Sequence, residues 1–282
     1  MIKKSQNIYI KTQDYFKSGE SFELLFDEHY QMLVTFPQPV NENLEFYYES
    51  DDYISHTDTK KGIMPFLYQK VKFYSLNKKI ALINSMVPLK GKLLDIGAGT
   101  GDFCKAALNK SWDVSGVEPS KKAREIALEK GVPLSKSLAD YKGQLFDVIT
   151  LWHVLEHLPN LDEQIQNIKI LLKPNGILII AVPNYNSYDA MYYKEYWAAY
   201  DVPRHLWHFS RESMKVLFGN SLKLLKIKPM IFDSFYVSLL SEKYKSGSSF
   251  SLKALFVGLL SNIKAISSKE YSSLIYCFQK PK

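Results

Sequence analysis

Cysteine is nearly missing from this chain: Cys104 and Cys277 are the only two in 282 residues, far apart and in no paired motif. That excludes a cysteine-only zinc site and a disulfide-stapled scaffold, and it suits a reducing compartment. Long apolar runs are missing too. The longest late stretch, SLKALFVGLLSNIKAI at 251–266, is broken by Lys253, Asn262 and Lys264, too polar for a bilayer span. The opening MIKKSQNIYIKTQDYF has a basic end but no apolar run behind it and no small-residue cleavage signal, so the expected location is cytoplasmic. No internal repeat or low-complexity tract interrupts the chain. Arginine is absent from the first sixty residues, where five lysines face eleven acids for a net charge of −6. The whole chain is +7, so the remainder carries +13. Such asymmetry suits weak attraction of the later part to phosphate-bearing molecules, lipid headgroups or nucleic acid, and equally a surface kept soluble by lysine.

What is present is the material of a globular protein with a sizeable core. FELLF and QMLVTF read as short strands, and PQPVNENLEFYYESDDYISHTDT as turn formers and acids. Residues 1–60 are therefore expected to form a small N-terminal cap ahead of a domain over 61–282. A helix is predicted over 64–86, where Phe66, Leu67, Val71, Phe73, Tyr74, Ile80 and Ile83 recur at near-helical spacing before Pro88 and Gly91. Strand and helix then alternate: KLLDIG, DFCKAALNK, WDVSGVE, SKKAREIALEKG, FDVITLW, LDEQIQNIKILLKPNG, GILIIAVPN. Apolar runs such as VIT and ILIIAV, without polar alternation, belong to strands covered on both faces, hence a mostly parallel sheet with helices on both sides. RESMKVLFGN adds a helix, SLKLLKIKPMIF and YSSLIYCFQK add strands, and a helical insertion is expected at about 235–268.

LLDIGAGTGDF, residues 93–103, places Gly97, Gly99 and Gly101 between a strand and a helix. Glycine there permits positive φ and lets backbone approach a ligand without a Cβ in the way, at the strand ends where parallel sheets bind ligands. The plain alternative is a tight turn needed for strand–helix packing. A dinucleotide fingerprint would require a third glycine where Asp102 stands, and an acid at a helix start repels pyrophosphate. Asp95 and Asp102 flank the loop, a pairing that suits a ligand with cationic groups and no phosphate.

With these motifs the chain resembles the class I S-adenosylmethionine-dependent methyltransferases over about 90–230. LLDIGAGTGDF resembles their first motif and GVEPS their second. FDVITLWHVLEHLPN and LLKPNGILIIAVPN resemble the motifs of the fourth and fifth strands. The resemblance implies a Rossmann-like α/β fold with a mostly parallel seven-stranded sheet, and S-adenosylmethionine as cofactor. It implies cofactor contacts from Asp95, Gly97, Ala98, Gly99, Gly101 and Phe103 at the glycine loop. Glu118 would take both ribose hydroxyls, with Pro119 beside it. Leu138 stands where the adenine wall is expected, or else is core, and Trp152 and His153 follow the fourth strand.

Methyl transfer from a sulfonium is an in-line displacement in which positioning matters and an oxygen or nitrogen nucleophile needs its proton removed. Closer similarity is to the branch containing the ubiquinone-biosynthesis O-methyltransferase, whose magnesium dependence uses acids in an E-V-x-E-H stretch. Here the stretch reads His153, Val154, Leu155, Glu156, His157. His153 replaces the first acid, and magnesium prefers oxygen ligands, so no metal is expected. Glu156 and His157 alternatively order the Leu-Pro-Asn turn. DVPRHLWHFSRESM, 201–214, resembles the R-H-x-x-x-F-S of many relatives. His205 is the first choice for a proton acceptor, His153 a base or substrate contact, and Arg204 an anion contact or a buried structural charge. Before it, NYNSYDAMYYKEYWAAY is rich in Tyr and Trp: a substrate-pocket wall or lid, or a homodimer face through 185–200.

Relatives in the same broad branch often begin with a cysteine-bearing, zinc-ribbon-like module. TFPQP and YYESDDYIS resemble the segment that follows it, but the cysteines are absent, which leaves a degenerate module without zinc. The expected function is methylation of an oxygen, less so a nitrogen, of a small-molecule, lipid-like or sugar-like acceptor. An RNA or protein methyltransferase is the rival enzyme. It lacks support from a basic-aromatic module, and Val182, Pro183, Asn184, Tyr185 departs from the N-P-P-Y/F of many amino-group modifiers. The rival from another class binds the cofactor without turnover and meets a partner through its aromatic face. No stable nucleic-acid partner and no transmembrane segment are expected.

Overall fold

In the computed structural model, residues 7–40, 46–48, 63–248 and 251–282 are described, with backbone alone over 63–69. The acidic stretch of the expected cap falls mostly outside these residues. The contacts divide the chain into two compact units.

The first unit holds the described part of 1–48 together with 153–159 and 180–278. Strands β1 (Ile8–Gln13), β2 (Ser21–Asp27) and β3 (Met32–Phe36) form an antiparallel meander, with Ile10 opposite Leu24 and Leu25 opposite Val34. Asp14 builds the first turn: its carboxylate accepts the N–H groups of Phe16, Lys17 and Ser18. The free edge of β3 is taken by β8 (Trp207–His208), which pairs Val34 with Trp207 and Leu33 with His208. The N-terminal strands thus share a four-stranded sheet with the 201–214 segment instead of standing apart over 1–60. An unfilled strand edge at β3 is the physical reason.

The aromatic segment is core. Tyr185, Tyr193, Trp197 and Tyr200 are buried in one cluster with Phe22, Leu24 and Leu33. Asp189, fully buried at the start of α5 (Tyr188–Tyr193), accepts hydrogen bonds from Trp197 Nε1 at 2.7 Å, Ser261 Oγ at 2.6 Å and Ser272 Oγ at 2.7 Å. Those four rings are packed inside one chain, while Tyr188, Tyr192 and Tyr196 of the same segment are half-buried. The insertion is a helix pair, α7 (Asp233–Ser246) and α8 (Leu252–Ser268), with the Ser251 hydroxyl capping α8 at Ala254 N–H.

The second unit holds 63–152 among described residues, 160–179 and 279–282. It contains α1 (Ile63–Met86), β4 (Lys92–Ile96), α2 (Asp102–Leu108), β5 (Asp113–Val117), α3 (Lys121–Glu129), β6 (Phe146–Trp152), α4 (Leu161–Leu171) and the start of β7 (Leu172–Pro183). β4 pairs in parallel with β5 and β6, placing Asp95 between Gly116 and Thr150. Its residues Leu93 to Ile96 are buried, as expected of a strand covered on both faces. The first unit supplies α6 (Arg211–Phe218), β9 (Lys223–Pro229) and β10 (Ser273–Gln279). The larger sheet has the order β5-β4-β6-β7-β10-β9, six strands and not the expected seven. On the outer edge of β5 only Ser135 makes a parallel bridge, to Val117. Pro133 brings no N–H to a ladder. Ser137 then turns the chain into a 3-10 turn at Leu138–Tyr141 by accepting Ala139 N–H. No helix among the described residues is long and apolar enough to cross a membrane.

Arg204 ties the first unit together. Its side chain is 1% exposed, with Nη2 2.8 Å from Asp14 Oδ1 and 2.7 Å from Asp201 Oδ1. Of the two roles open to it from sequence, the geometry matches the buried structural charge. Removing one partner of a buried ion cluster leaves the others uncompensated. Arg204→Ala is expected to lower unfolding stability by about 3–5 kcal/mol in urea titration followed by circular dichroism. Arg204→Lys recovers only part of it, because an ammonium lacks the planar fork.

Candidate functional site

The glycine turn between β4 and α2 has φ of +70° at Gly97, +53° at Gly99 and +75° at Gly101. Two of them differ in purpose. A Cβ at Gly101 would lie 2.9 Å from Ala127 Cβ, so that glycine lets α3 pack; a Cβ at Gly99 would meet nothing within 4 Å. Gly99 therefore borders open space where a ligand fits. The loop amides point inward: Gly97 and Ala98 N–H both donate to Val117 O, at 2.8 and 2.9 Å, and Gly99 N–H donates to Glu118 Oε2 at 2.9 Å. With Gly101 N–H donating to Ala98 O at 3.0 Å, four of the five amides of the turn are engaged within the protein.

Glu118, at the end of β5, is half-buried. Its Oε2 accepts Gly99 N–H and its Oε1 accepts Ser120 N–H, both at 2.9 Å. Each oxygen keeps a second lone pair, so the carboxylate is held in place and still able to accept from a vicinal diol. Pro119 is exposed beside it, and Leu138 lies half-buried in its 3-10 turn. Phe103 is buried and meets Trp152 edge-on, ring centroids 5.4 Å apart. Trp152 Nε1 is buried with no hydrogen-bond partner among protein atoms.

The two acids of the loop are not laid out as the sequence suggested. Asp102 is clamped by Lys72 at 2.7 Å and Lys130 at 2.8 Å. Asp95 is 2% exposed and accepts from Thr150 Oγ1 at 2.6 Å, with Cys104 Sγ at 3.7 Å. Asp102 is neutralised by protein cations and Asp95 lies beneath the loop, so neither stands as a free carboxylate. Thr150 and the two lysines were missed from sequence; a lone hydroxyl inside the apolar FDVITLW was the only signal for the first.

Directly after β6 the chain enters the other constellation, all in the first unit. His153 has φ of +59°. Its Nδ1 is 3.3 Å from Glu156 Oε1 and its Nε2 is 3.1 Å from Asp233 Oδ2. Burial opposes charging the ring, but the hydrogen bonds and charges of Asp233 and Glu156 outweigh it and push His153 up to about 10. A ring already protonated has no lone pair for a substrate proton. A carboxylate at each ring nitrogen favours the charged form of His153.

Glu156 sits in a 3-10 turn, 1% exposed, with Oε2 unpartnered. His157 Nδ1 donates to Arg204 O at 3.0 Å, and the Tyr48 hydroxyl is 2.9 Å from the same nitrogen. Burial and the neighbouring His205 pull His157 down to about 4. His205, 8% exposed, donates from Nδ1 to Ala199 O at 2.8 Å, which leaves the Nε2 lone pair free, 4.0 Å from Asp201 Oδ2. Leu206 N–H donates to Glu156 O at 2.8 Å, and this bond joins the two segments that the sequence could only suggest converge. One ligating atom each of Glu156, His157 and His205 lies within 4.8 Å of the others. This is the place of the acid-rich magnesium ligation in the branch named above. With one carboxylate, two imidazoles and His153 in place of the other acid, the donor set does not fit magnesium.

A parallel sheet flanked by helices, with a glycine turn after one strand and a carboxylate at the end of its neighbour, defines an α/β protein of the Rossmann-like class. Residues 68–221, more than half of the chain, match the family described as methyltransferase domain, and the chain belongs to that family. The ubiquinone biosynthesis O-methyltransferase of Pectobacterium atrosepticum is 33% identical over 106 residues, 34% of this chain and 44% of that protein. The chain spans about half the length of the curated relatives it matches. Among solved structures, phosphoethanolamine N-methyltransferase 2 of Haemonchus contortus in complex with S-adenosyl-L-methionine is similar with a TM-score of 0.54 at 17% identity, covering 94% of this chain and 70% of that one. The plantazolicin methyltransferase in complex with SAH is similar with a TM-score of 0.53 at 15% identity, covering 85% and 94%. These likenesses establish a Rossmann-like methyltransferase fold with helices flanking the sheet.

Burial raises the Asp95 carboxyl to about 7 against the hydrogen bond from Thr150. The folded protein then binds this proton more tightly than the unfolded chain, so the contribution of Asp95 to stability falls as pH rises from about 4 to about 7 and is level above. Asp95→Asn removes that slope. Unfolding midpoints across this pH range are expected to shift in favour of the variant with rising pH.

Proposed function

We propose that the chain transfers a methyl group from S-adenosylmethionine to an oxygen, less readily a nitrogen, of a small-molecule acceptor. The observation that carries this is the turn at 97–101. Four of its five amides are spent inside the protein, a Cβ-free face opens at Gly99, and the Glu118 carboxylate is pinned for a ribose diol. The pinned carboxylate beside an open glycine suits the ribose of a nucleoside. An O-methyltransferase among the sequence relatives and a solved relative bound to this cofactor support the same reading.

Held by Glu118 at its ribose, the cofactor would supply a methyl carbon open to in-line displacement, with the carbon–sulfur electron pair left on sulfur as the neutral thioether. The acceptor proton goes to His205 Nε2, whose tautomer is set by the Nδ1–H to Ala199 O, and the imidazolium formed is balanced by Asp201. His153 contributes a positive contact. Arg204 positions the segment and does not touch the acceptor. Cys104 and Cys277 are both buried free thiols, in keeping with a cytoplasmic site of action.

Calorimetric titration with S-adenosylmethionine and with its thioether product tests the cofactor step; no saturable heat with either on folded protein overturns it. Glu118→Ala is expected to weaken binding by about 100-fold through two lost charge-assisted hydrogen bonds. His205→Gln should leave that affinity unchanged and slow methyl transfer by about 100-fold or more in a labelled acceptor screen. A loss of only a few-fold refutes the base assignment alone.

A further inference from the structure

Helix α8 is amphipathic in the inverted sense. Its buried face is Ala254, Val257, Gly258, Ser261 and Ala265, mostly small residues, with Gly258 laid against Ser234 and Phe235 of α7. The two backbones approach until a Cβ at Gly258 would stand 2.9 Å from Phe235 Cα and from Ser234 O. The large apolar side chains point the other way. Leu252, Phe256, Leu259, Ile263 and Ile266 are between 48% and 74% exposed. Their spacing of four and three makes one stripe along a 17-residue helix about 25 Å long. A helix that serves only the core buries such residues and exposes the small ones, and a contiguous apolar strip on the surface marks a place of interaction.

The charge around the stripe has one sign. Between 233 and 269 stand Lys243, Lys245, Lys253, Lys264 and Lys269 against two acids, Asp233 and Glu242. Both acids are engaged, Asp233 by His153 and Glu242 by Lys253. Helix α8 contains no acid, and at 100° per residue Lys253 and Lys264 share one flank of the stripe.

We propose that the exposed face of α8 docks this unit on an anionic lipid surface, the helix lying in the headgroup plane with its stripe in the acyl boundary. Apolar burial supplies the hold, and the lysines, on long stems that reach the headgroups, supply the preference for negative lipid. Lys253 is partnered by Glu242 and Lys264 lies over the Tyr188 ring, but the segment keeps an excess of lysine that a second copy would only double, whereas an anionic headgroup layer offsets it. The proposal does not rest on the methyl-transfer reading, because lipid binding is measured with neither cofactor nor acceptor.

Flotation of the full chain with phosphatidylcholine vesicles, with and without phosphatidylglycerol, is the test. Binding is expected to the anionic vesicles, weakened by salt. A Phe256→Ser, Ile263→Ser double variant should lose at least about tenfold in that binding. Its unfolding midpoint should be unchanged, since both side chains are exposed. Lys264→Glu should weaken binding to the anionic vesicles as well. No binding to either vesicle, or equal binding to neutral ones, overturns the proposal. So does concentration-dependent self-association in sedimentation that the double variant abolishes, a result that would give the face to a second copy.

Discussion

One carboxylate organises the cofactor end of this protein. Glu118 holds the tip of the glycine turn through Gly99 N–H and the start of α3 through Ser120 N–H. The glycine turn and a helix entry are thus tied to one carboxylate, each of whose oxygens keeps a second lone pair. Holding the acceptor group in place before the ligand arrives removes an ordering cost from binding. The positive φ at Gly97, Gly99 and Gly101 is what lets the turn reach that carboxylate, and the same backbone turns its amides toward Val117 and away from the ligand.

The other unit solves a different electrostatic problem. Arg204, Asp14 and Asp201 form a buried ion cluster that anchors the 201–208 segment to the N-terminal meander. Around that anchor, backbone carbonyls set the imidazoles: Ala199 O takes the Nδ1–H of His205 and Arg204 O that of His157. His153, gripped by two carboxylates, is driven to the charged form. His153 and His157, four residues apart, are therefore shifted in opposite directions, because one is held by two carboxylates and the other is buried beside a second imidazole.

The α7–α8 pair shows how packing and surface chemistry can be divided within one helix. Serine, glycine and alanine bring the backbones together, and that close approach leaves the bulky apolar side chains no room except outward. In most surface helices the apolar face is the one consumed by folding; here folding consumes the small face.

Much of the fold was legible in order along the chain. LLDIG, FDVITL and ILIIAV read as buried strands, and LDEQIQNIKILL as a helix, since runs and periodicities are local properties that backbone preference enforces. Gly97, Gly99, Gly101 and Glu118 were likewise readable, because turn chemistry and a strand-end acid occupy short, ordered stretches. What only the tertiary structure decided were partnerships over long separations. Asp14 meets Arg204 across 190 residues, and His153 meets Asp233 across 80. Asp102 is claimed by Lys130 and Lys72, so it is not left for a ligand. Tyr185, Tyr193, Trp197 and Tyr200 of the aromatic run became core beside Phe22, Leu24 and Leu33 of the N-terminal strands. A pattern of residues states which groups seek burial or a counter-charge; which group answers is settled only when the chain packs.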